Sequence, residues 1–472
     1  MTTTISTNEI KRLLDAEKLK YCFECGICTA SCSMAELLGE HYNPRTLIEK
    51  IFLAPEEAIA SQELWLCAWC YRCYKRCPQS LKLPEIFLYF RTIALKSGCT
   101  KPLEKALQKV VENIPLPLVT TALCFHPERT GLNVEEILEK LRRLRARSIK
   151  AKRGKMQKVS VVGSGPAGLA VAHDLARMGY NVTVFESLSE PGGMLRKCIP
   201  KQRLPREILD EEIQFIKSLG VKMQTGVYVG KDINFDSLWK EGYKAIFIGC
   251  GAHKTHELKI EGADLTGVFH ALDFLWHVNS GKDIEIGKHV VVVGGGNTAI
   301  DSAKTASQLG AQKTTILYRR SREEMPANPW EVKEIEKEGM KIEFLTAPKR
   351  ILGKNGKVSA IECVRMQLGE LDATGRRKPV PIEGSEHIIE TDTVILAVGE
   401  APNVEFLPKE IEVNDDGTIW VNPLTMETSF AGVFAGGDAV RGPSTVIEAI
   451  RDGKVAAASI DRYLKMRRAS DE

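Results

Sequence analysis

Eight cysteines in two matching runs constrain the fold of this 472-residue chain more than any other feature of its sequence. Each run has the spacing Cys-x2-Cys-x2-Cys-x3-Cys, the first from Cys22 to Cys32 and the second from Cys67 to Cys77. This spacing is typical of chains that hold two [4Fe–4S] clusters, in which three cysteines surround one cluster and the fourth reaches the other. The sequence therefore predicts two [4Fe–4S] clusters.

This crossed pattern assigns the cysteines to two ligand sets. The first cysteine set is Cys22, Cys25, Cys28 and Cys77, and the second cysteine set is Cys67, Cys70, Cys73 and Cys32. Pro78 follows the second run, whereas Ser33 follows the first, a small departure from the pattern. Structural zinc and buried, inert thiols are the alternative interpretations, but zinc sites usually draw their ligands from two pairs.

The rest of the composition argues against a small secreted disulfide-rich domain, a nucleic-acid-binding protein and a membrane-spanning protein. The other five of the 13 cysteines are scattered through a long chain, which does not match the disulfide framework of a small secreted domain. The N-terminus lacks the pattern of a signal peptide, so a cytoplasmic location is expected. A net charge of +4 and the absence of a recognition motif give no reason to expect nucleic acid. No apolar run reaches the roughly 18 residues of a membrane span, so no membrane insertion is expected.

The N-terminal domain, residues 1–140, is predicted to be mostly helical. Apolar residues at helical spacing predict helices over residues 7–19, 44–52, 83–95, 103–111 and 134–144. This region resembles the HdrC subunit of heterodisulfide reductase in Cys22-Phe-Glu-Cys-Gly-Ile-Cys-Thr-Ala-Ser-Cys32, Asn43-Pro-Arg45 and Leu64-Trp-Leu-Cys-Ala-Trp-Cys70. The resemblance implies a helical electron-relay module. Residues 141–157 are basic, lack apolar periodicity and are predicted to form a solvated linker.

Residues 158–288 begin with a complete dinucleotide-binding fingerprint. A predicted strand over 158–162 leads into a glycine turn, a helix and a second strand that ends at Glu186. Glycines permit a tight turn and let a pyrophosphate approach the helix N-terminus, while the terminal carboxylate would bond ribose hydroxyls. The predicted cofactor-binding residues here are Gly163, Gly165, Pro166, Ala167, Gly168 and Glu186.

A second unit of the same kind begins at residue 289. A strand over 290–293, a glycine turn, a helix and a strand over 314–318 follow one another, but arginines stand where Glu186 stood in the first unit. Arginines at this place suit the 2′-phosphate of NADPH, although they could also be surface residues without a ligand. The predicted NADPH-binding residues are Gly294, Gly296, Asn297, Thr298, Arg319, Arg320 and Arg322.

The acidic first unit and the basic second unit suggest FAD first and NADPH second. A C-terminal strand leads to Gly437 and Asp438, where an aspartate would meet the flavin's ribityl–phosphate region. A helix after Pro443 would bring its N-terminus towards the flavin ring. The predicted cofactor-binding residues of this segment are Gly437, Asp438 and Thr445. The predicted fold is α/β: two Rossmann-like domains, with the FAD domain (158–288 and 400–472) split by the NADPH domain (289–399), preceded by an α-helical, ferredoxin-like iron–sulfur domain.

The region from about residue 156 to 465 resembles the glutamate synthase small-subunit family, which includes the NADPH-binding subunit of NADH-dependent ferredoxin:NADP oxidoreductase. The matching motifs are Gly192-Gly-Met-Leu-Arg196, Ile199-Pro200, Arg203-Leu-Pro205, Tyr318-Arg-Arg-Ser-Arg-Glu-Glu-Met-Pro326 and Gly437-Asp-Ala-Val-Arg-Gly-Pro-Ser-Thr-Val446. The resemblance implies FAD and NADPH at the residues already named and adds Gly193 and Arg196 to the FAD site.

These parts together predict an NADP(H)-linked oxidoreductase subunit that moves electrons between NADP(H), FAD, two [4Fe–4S] clusters and a partner subunit. An electron-bifurcating or transhydrogenase-type complex is one setting for it. No catalytic side chain is predicted, because the flavin supplies the chemistry. The alternatives are a relay subunit without turnover in a glutamate-synthase-like or heterodisulfide-reductase-like complex, and a stand-alone NADPH-dependent reductase. A dithiol–disulfide reductase would need two neighbouring cysteines, and Cys198 is alone in the sequence.

Overall fold

The computed structural model describes residues 19, 22, 24–148, 157–372 and 375–471. The chain divides into two compact units. The first unit comprises Met1–Gly193, Arg203–Gly251 and Asn403–Glu472, and the second comprises Met194–Gln202 and Ala252–Pro402. No helix within the described ranges combines the length and the apolarity that crossing a membrane requires.

The N-terminal part of the first unit is helical, as predicted. Prolines stand in the first turn of most of its longer helices, where a missing N–H costs nothing. The predicted helix over 7–19 lies outside the described residues except for Leu19. The helices are Ile27–Ala30, Ser33–Leu38, Pro44–Leu53, Pro55–Ile59, Arg72–Arg76, Leu83–Lys96, Lys101–Asn113, Pro117–Thr120 and Val134–Ser148, with 3-10 turns at Gly39–His41, Gln62–Trp65 and Pro127–Thr130 and a π-helical turn at Thr121–Phe125.

The rest of the chain alternates strands and helices. The strands are β1 Lys158–Val162, β2 Asn181–Glu186, β3 Lys222–Thr225, β4 Tyr243–Ile248, β5 Lys254–Thr255, β6 Val268–His270, β7 His289–Val293, β8 Lys313–Tyr318, β9 Lys341–Phe344, β10 Thr346–Lys354, β11 Lys357–Leu371, β12 Arg377–Pro381, β13 His387–Glu390, β14 Thr393–Leu396, β15 Glu400–Ala401 and β16 Val433–Ala435. The helices are Pro166–Arg177, Met194–Lys197, Arg206–Ser218, Phe235–Lys240, Ala271–Asn279, Asn297–Gln308, Pro329–Lys337, Asp438–Arg441 and Val446–Asp471.

A parallel sheet in the order β16-β4-β1-β2-β3 forms the centre of the first unit. Strands β1 and β4 are almost wholly buried and apolar, as expected of a parallel sheet covered on both faces. The edge strand β16 comes from the C-terminal segment, so the chain returns to this sheet after building the second unit. The C-terminal helix Val446–Asp471 then packs on helix Pro166–Arg177, so closely that a Cβ at Gly453 would lie 2.4 Å from the Ala167 carbonyl oxygen.

The second unit has a parallel sheet in the order β6-β14-β7-β8-β9. Antiparallel strands β10, β11, β12 and β13 form an additional sheet, and β15 pairs with β5. The predicted start of the NADPH domain at residue 289 lies inside this unit, because β6 already pairs with β14. The boundary of this unit depends on pairing between strands that are distant in the sequence, and the periodicity of apolar residues does not reveal such pairing.

The structure corrects the predicted solvated linker over residues 141–148. Helix Val134–Ser148 runs through this stretch, while residues 149–156 lie outside the described residues. Its apolar stripe ends with Ile137, Leu138 and Leu141, which are all buried, and charged contacts continue the packing beyond it. The spacing of apolar residues does not indicate that the helix continues to Ser148, because the contacts beyond Leu141 are made by charged residues.

A buried ion pair joins this helix to helix Arg206–Ser218 of the first unit. Arg145 Nη1 donates to Glu212 Oε2 at 2.7 Å, and the Leu118 backbone N–H donates to Glu212 Oε1 at 2.6 Å. Glu212 is fully buried, and Arg145 also contacts Glu211 at 2.8 Å. Burial raises the pKa of Glu212 to about 7, although Arg145 and the backbone donors lower it. The helical region is therefore held against helix Arg206–Ser218 by charge as well as by apolar contact.

Replacing Arg145 with Met should lower the free energy of unfolding by about 3–5 kcal/mol, because it leaves the Glu212 carboxylate buried without its cation. The matched control is Arg143→Met on the same helix, where the pair with Glu139 is exposed and should contribute less than about 1 kcal/mol. Denaturant unfolding followed by circular dichroism measures both.

The Arg145→Met effect should also depend on pH. A folded pKa above the ordinary value of 4.5 means that ionisation of Glu212 opposes folding, so its contribution to stability is lost as pH rises through the folded pKa. Without Arg145 that pKa rises further, and the variant should be destabilised more at about pH 8 than at about pH 6. Equal losses for Arg145→Met and Arg143→Met would contradict the role of this pair.

Candidate cofactor sites

The structure gathers the first cysteine set around one cavity. Its described lining includes Cys22, Cys25, Cys28 and Cys77, together with Arg45 and other residues of the N-terminal region. Cys77 belongs to the second run of the sequence, so the chain crosses over here in the way that the spacing predicts. The role of these cysteines as cluster ligands remains a prediction.

The second cysteine set also lies together. The sulfur of Cys32 interacts electrostatically with Cys70 and Cys67, and Cys73 interacts with Cys67, Cys70 and Cys32 and least with Cys28 of the first set. Burial raises the pKa of Cys32, Cys70 and Cys73, and the neighbouring thiols raise it further. Four thiols packed in this way favour a positively charged partner such as iron, which would stabilise their thiolate forms.

The two cysteine loops share an unusual backbone conformation. Glu24 and Trp69, each two residues after the first cysteine of a run, have φ of 52° and 48°. Gly26 and Tyr71, each one residue after the second cysteine, have φ of 77° and 59°. Left-handed non-glycine residues cost about 1–3 kcal/mol each and concentrate at functional sites. The matching left-handed positions give both loops the same backbone shape, as expected if they hold the same kind of ligand.

This curvature turns a backbone donor towards sulfur. The Trp69 N–H donates to Cys67 Sγ at 3.4 Å. Among the described residues, no three Cys, His, Asp or Glu side chains lie close enough to share a single metal ion. The cysteines of a cluster bind different iron atoms and are spaced more widely. The arrangement fits [4Fe–4S] clusters.

The glycine turn after β1 fits a pyrophosphate. Gly163 has φ of 95°, and a Cβ there would lie 2.4 Å from the Gly249 carbonyl oxygen. A Cβ at Gly168 would lie 2.0 Å from the Gly163 carbonyl oxygen, so close helix–strand packing requires glycine. By contrast, nothing lies within 4 Å of a Cβ at Gly165, immediately before helix Pro166–Arg177. This open space at a helix N-terminus is where an anionic group can approach.

Glu186 ends β2 beside this turn, and its carboxylate is buried. It accepts hydrogen bonds from the Ser164 N–H and the Leu188 N–H, both at 2.9 Å, and from the Ser187 hydroxyl at 3.3 Å. The Ser164 hydroxyl also donates to Glu186 and accepts from the Gly192 N–H. Glu186 therefore shapes the glycine turn, and its contact with a ribose remains a prediction.

The Gly437–Asp438 turn lies in the same unit. Gly437 has φ of 70°, and a Cβ there would lie 3.0 Å from that of Ala167. The Gly437 N–H donates to Asp452 Oδ2 at 3.1 Å, and the Ser444 N–H donates to Asp438 Oδ1 at 3.2 Å. Asp452 is fully buried on the C-terminal helix, where it fixes this turn. Sequence reasoning missed Asp452 because no local motif marks it.

The C-terminal helix begins with a capping box. The Thr445 hydroxyl bonds Glu448 at 2.8 Å, and the Glu448 N–H donates to Thr445 Oγ1 at 3.4 Å. Thr445, predicted as a cofactor-binding residue, therefore fixes the start of this helix. The sequence Thr-x-x-Glu carried this signal, but the prediction did not use it.

The two remaining predicted FAD residues belong to different units. Gly193, in the first unit, has φ of 53°, and a Cβ there would lie 2.7 Å from Gly165 Cα. Arg196 lies in helix Met194–Lys197 of the second unit. Gly193 fits the closely packed glycine turn, and the FAD contact of Arg196 remains a prediction.

The second unit has the equivalent nucleotide turn after β7. Gly294 has φ of 150°, and a Cβ there would lie 2.2 Å from the Ala397 carbonyl oxygen, whereas the space at Gly296 is open. Helix Asn297–Gln308 begins immediately afterwards. Asn297 Oδ1 accepts from the Asn328 N–H at 3.3 Å. Asn297 therefore also supports a loop beside the turn, and the contact of Thr298 with a nucleotide remains a prediction.

The structure separates the three predicted arginines by environment. Arg320 is buried and donates to the Arg377 carbonyl at 2.8 Å and to Asp372 at 2.7 Å, so it holds the β11–β12 connection. Arg322 is paired with Glu336 and lies over the Phe344 ring. No acceptor among the described residues is hydrogen-bonded to Arg319, which is exposed at the end of β8. Arg319 is the strongest candidate for the 2′-phosphate contact.

Cys198 is a packed core residue in the second unit. It is 8% exposed within an apolar cluster that includes Phe274 and Leu275, and burial raises its pKa to about 12. A thiol that exchanges disulfides is accessible and has a lowered pKa. These surroundings are those of a structural cysteine.

Comparisons with known proteins agree with this geometry. Residues 157–453 match the family described as pyridine nucleotide-disulphide oxidoreductase, and residues 18–81 match the 4Fe-4S dicluster domain. The chain belongs to the pyridine nucleotide-disulphide oxidoreductase family. Proteins of this family bind FAD and NADP(H), and the N-terminal match supports [4Fe–4S] clusters.

Two similar proteins are named as subunits of NADP(+)- or NADPH-linked oxidoreductases. The chain is 39% identical over 432 residues to the NADP(+)-dependent formate dehydrogenase subunit beta of Moorella thermoacetica, covering 83% of this chain and 60% of the relative. It is 38% identical over 440 residues to the NADPH-Fe(3+) oxidoreductase subunit beta of Geobacter sulfurreducens, covering 83% of this chain and 63% of that one. The chain thus spans less than two thirds of these relatives.

The predicted resemblance to the glutamate synthase small-subunit family is confirmed. The small chain of glutamate synthase [NADPH] of Escherichia coli is 37% identical over 327 residues, covering 66% of this chain and 69% of that protein. Among solved structures, Mycobacterium tuberculosis FprA in complex with NADPH has a TM-score of 0.57 at 20% identity, covering 67% of this chain and 87% of FprA. Thioredoxin reductase of T. acidophilum has a TM-score of 0.52 at 23% identity, covering 66% and 99%. Both likenesses support the α/β fold.

Replacing Arg319 with Ala should raise the KM for NADPH about tenfold or more while leaving the KM for NADH nearly unchanged. The reason is that a charged hydrogen bond to a phosphate contributes about 1.5–3 kcal/mol. Steady-state kinetics with both nucleotides and an artificial electron acceptor measure the change. Arg322→Ala is the control, because Arg322 is already paired with Glu336. Equal effects of Arg319→Ala on both nucleotides would contradict a 2′-phosphate contact.

Proposed function

We propose that this chain is an NADPH-dependent flavin and iron–sulfur oxidoreductase subunit that passes electrons to a protein partner. The observation that carries the proposal is the presence, in one chain, of two nucleotide turns with open glycine positions and two gathered cysteine sets. The family matches over residues 157–453 and 18–81 support the same combination.

The residues of the first unit would bind FAD. The open space at Gly165 and the N-terminus of helix Pro166–Arg177 would receive the pyrophosphate, Glu186 would accept from a ribose hydroxyl, and Asp438 would contact the ribityl–phosphate region. Gly296, helix Asn297–Gln308 and Arg319 of the second unit would bind NADPH. When bound, FAD accepts a hydride from a nicotinamide and gives up electrons singly, which lets it connect NADPH to one-electron carriers.

The two cysteine sets would hold two [4Fe–4S] clusters. Both sets contain four cysteines, and both loops have the same left-handed positions, so each is suited to the same ligand. All thirteen cysteines lie in the described part of the chain, and none forms a disulfide. Unpaired thiols in this number favour a reducing compartment, and we place the protein in the cytoplasm on this ground.

The proposal includes a partner because the relatives are themselves subunits. The names of two similar proteins are formate dehydrogenase subunit beta and NADPH-Fe(3+) oxidoreductase subunit beta. The nucleotide turns and cysteine sets provide an electron entrance and a relay, and a final acceptor would come from another chain. A relay subunit without turnover and a stand-alone NADPH-dependent reductase are the competing functions.

Anaerobic titration of the purified holoprotein with NADPH tests the proposed function. We expect the flavin absorbance to bleach and low-temperature EPR to detect reduced [4Fe–4S] clusters, because both carriers are in one chain. Flavin bleaching with EPR-silent clusters would favour electron flow in the reverse direction or bifurcation. A flavin that NADPH does not bleach would contradict the NADPH assignment, and NADH serves as the comparison nucleotide.

The iron content tests the number of clusters. Anaerobically purified protein should contain about eight iron atoms and as much acid-labile sulfide per chain, four for each cluster. Cys28→Ser should lower the iron content to about four atoms, because Cys28 belongs to the first cysteine set only. Cys99→Ser, outside both sets, should leave it unchanged. About one or two metal atoms per chain, with zinc prominent, would contradict the cluster assignment.

A further inference from the structure

An ion pair joins the second cysteine set to the start of the C-terminal helix. Arg72 lies between Cys70 and Cys73, and its guanidinium contacts the Glu448 carboxylate in the first turn of helix Val446–Asp471. Both side chains are mostly buried, with 22% and 11% of their areas exposed. A pair shielded from water interacts more strongly than a surface pair does. This contact therefore fixes the second cysteine loop against the FAD part of the first unit.

Arg72 connects the two sides through different atoms. Its backbone belongs to the loop between Cys70 and Cys73, while its side chain reaches Glu448. Glu448 also bonds Ser444 and Thr445, and the Ser444 N–H donates to Asp438 at 3.2 Å. One ion pair and a chain of hydrogen bonds thus connect the second cysteine loop to the Asp438 turn.

A second bridge starts from the other end of the same cysteine set. Glu36 lies on helix Ser33–Leu38, which follows Cys32 directly and packs against the C-terminal helix. Its carboxylate contacts Arg451, and Arg451 contacts Asp452 at 2.9 Å. Asp452 in turn accepts from the Gly437 N–H at 3.1 Å. Both bridges therefore end at the Gly437–Asp438 turn.

The first cysteine set has different surroundings. The described residues that border its cavity all belong to the N-terminal region, among them Arg45, Pro78 and Leu83. Cys25 in this set is exposed, whereas Cys67 and Cys73 in the second set are buried. The bridges to the FAD part come from helices that adjoin cysteines of the second set.

We infer that the second cysteine set holds the cluster that exchanges electrons directly with FAD, and that Arg72 and Glu448 are positioning residues for this exchange. The inference rests on the proposed function. It assigns the first cysteine set to the following step, the transfer to the protein partner. It also assigns the Arg72–Glu448 ion pair a role in electron transfer that is distinct from nucleotide binding and from cluster ligation.

The electrons given up by NADPH equal those taken up by the partner in the proposed series of transfers. One hydride from NADPH brings two electrons and one proton, and NADP⁺ is released. With FAD and both clusters bound, the electrons would leave the flavin singly, first to the cluster held by the second cysteine set and then to the cluster held by the first. An oxidised one-electron protein partner takes up each electron, and the proton passes to water.

The first test compares Arg72→Gln, Arg72→Lys and Arg76→Gln in the holoprotein. Arg76 is exposed on the same short helix and is the matched control. After anaerobic mixing with NADPH, flavin bleaching and cluster reduction are recorded separately. Arg72→Gln should lower the ratio of the rate of cluster reduction to the rate of flavin bleaching about tenfold or more. Arg72→Lys should restore most of this ratio, and Arg76→Gln should leave it unchanged.

A structural measurement accompanies the kinetics. Hydrogen exchange of backbone amides in residues 446–455 should be faster in Arg72→Gln than in the wild type and unchanged in Arg76→Gln, because only the former releases the start of the C-terminal helix. Equal rate ratios in Arg72→Gln and Arg76→Gln, despite faster exchange in the former, would overturn the positioning role.

The second test removes one cluster at a time. Cys25→Ser should leave a chain whose remaining cluster is reduced at the wild-type rate, whereas Cys70→Ser should slow reduction of the remaining cluster about tenfold or more. Slow reduction of the remaining cluster in Cys25→Ser, together with a wild-type rate in Cys70→Ser, would overturn the assignment of the second cysteine set to the exchange with FAD. If either cysteine variant loses FAD, the Arg72 and Arg76 comparison decides. If NADPH fails to bleach the wild-type flavin, the proposed function fails, whereas the hydrogen-exchange comparison of Arg72→Gln with Arg76→Gln still tests the bridge.

Discussion

The pairing of β16 with β4 is the constraint on which the rest of the first unit depends. It returns the C-terminal segment to a sheet that begins at β1, and so places the C-terminal helix on helix Pro166–Arg177. That contact is closer than any side chain at Gly453 would allow. The C-terminal helix then supplies Glu448, Arg451 and Asp452, which hold the Gly437–Asp438 turn and contact the cysteine-rich region. A single long-range strand pair thus unites the flavin and cluster parts of the unit.

The parts of the structure that a local pattern encodes could be predicted from the sequence. Both nucleotide turns follow from glycines that must adopt positive φ or admit a close neighbour, as Gly163 and Gly294 do. The crossed cysteine sets follow from spacing alone, and the structure places Cys77 with the first run and Cys32 with the second. Spacing works here because a cluster fixes the separation of its ligands along the chain.

The features that sequence reasoning missed are those that depend on distant partners. Arg320 resembles its neighbours in the sequence, yet it is buried because Asp372 lies opposite it. Helix Val134–Ser148 continues beyond its apolar stripe because Glu211 and Glu212 pair with its arginines. Trp69 and Tyr71 adopt left-handed conformations that their residue types disfavour. Each of these is decided by tertiary contacts rather than by local preference.

The measurement that tests the account most directly is an anaerobically determined crystal structure of the holoprotein with FAD bound. The account predicts two [4Fe–4S] clusters, with the one held by Cys32, Cys67, Cys70 and Cys73 nearer to the flavin ring and the Arg72–Glu448 pair beside the path between them. Either a cluster of the first cysteine set nearer to the flavin, or zinc in place of the clusters, would contradict it.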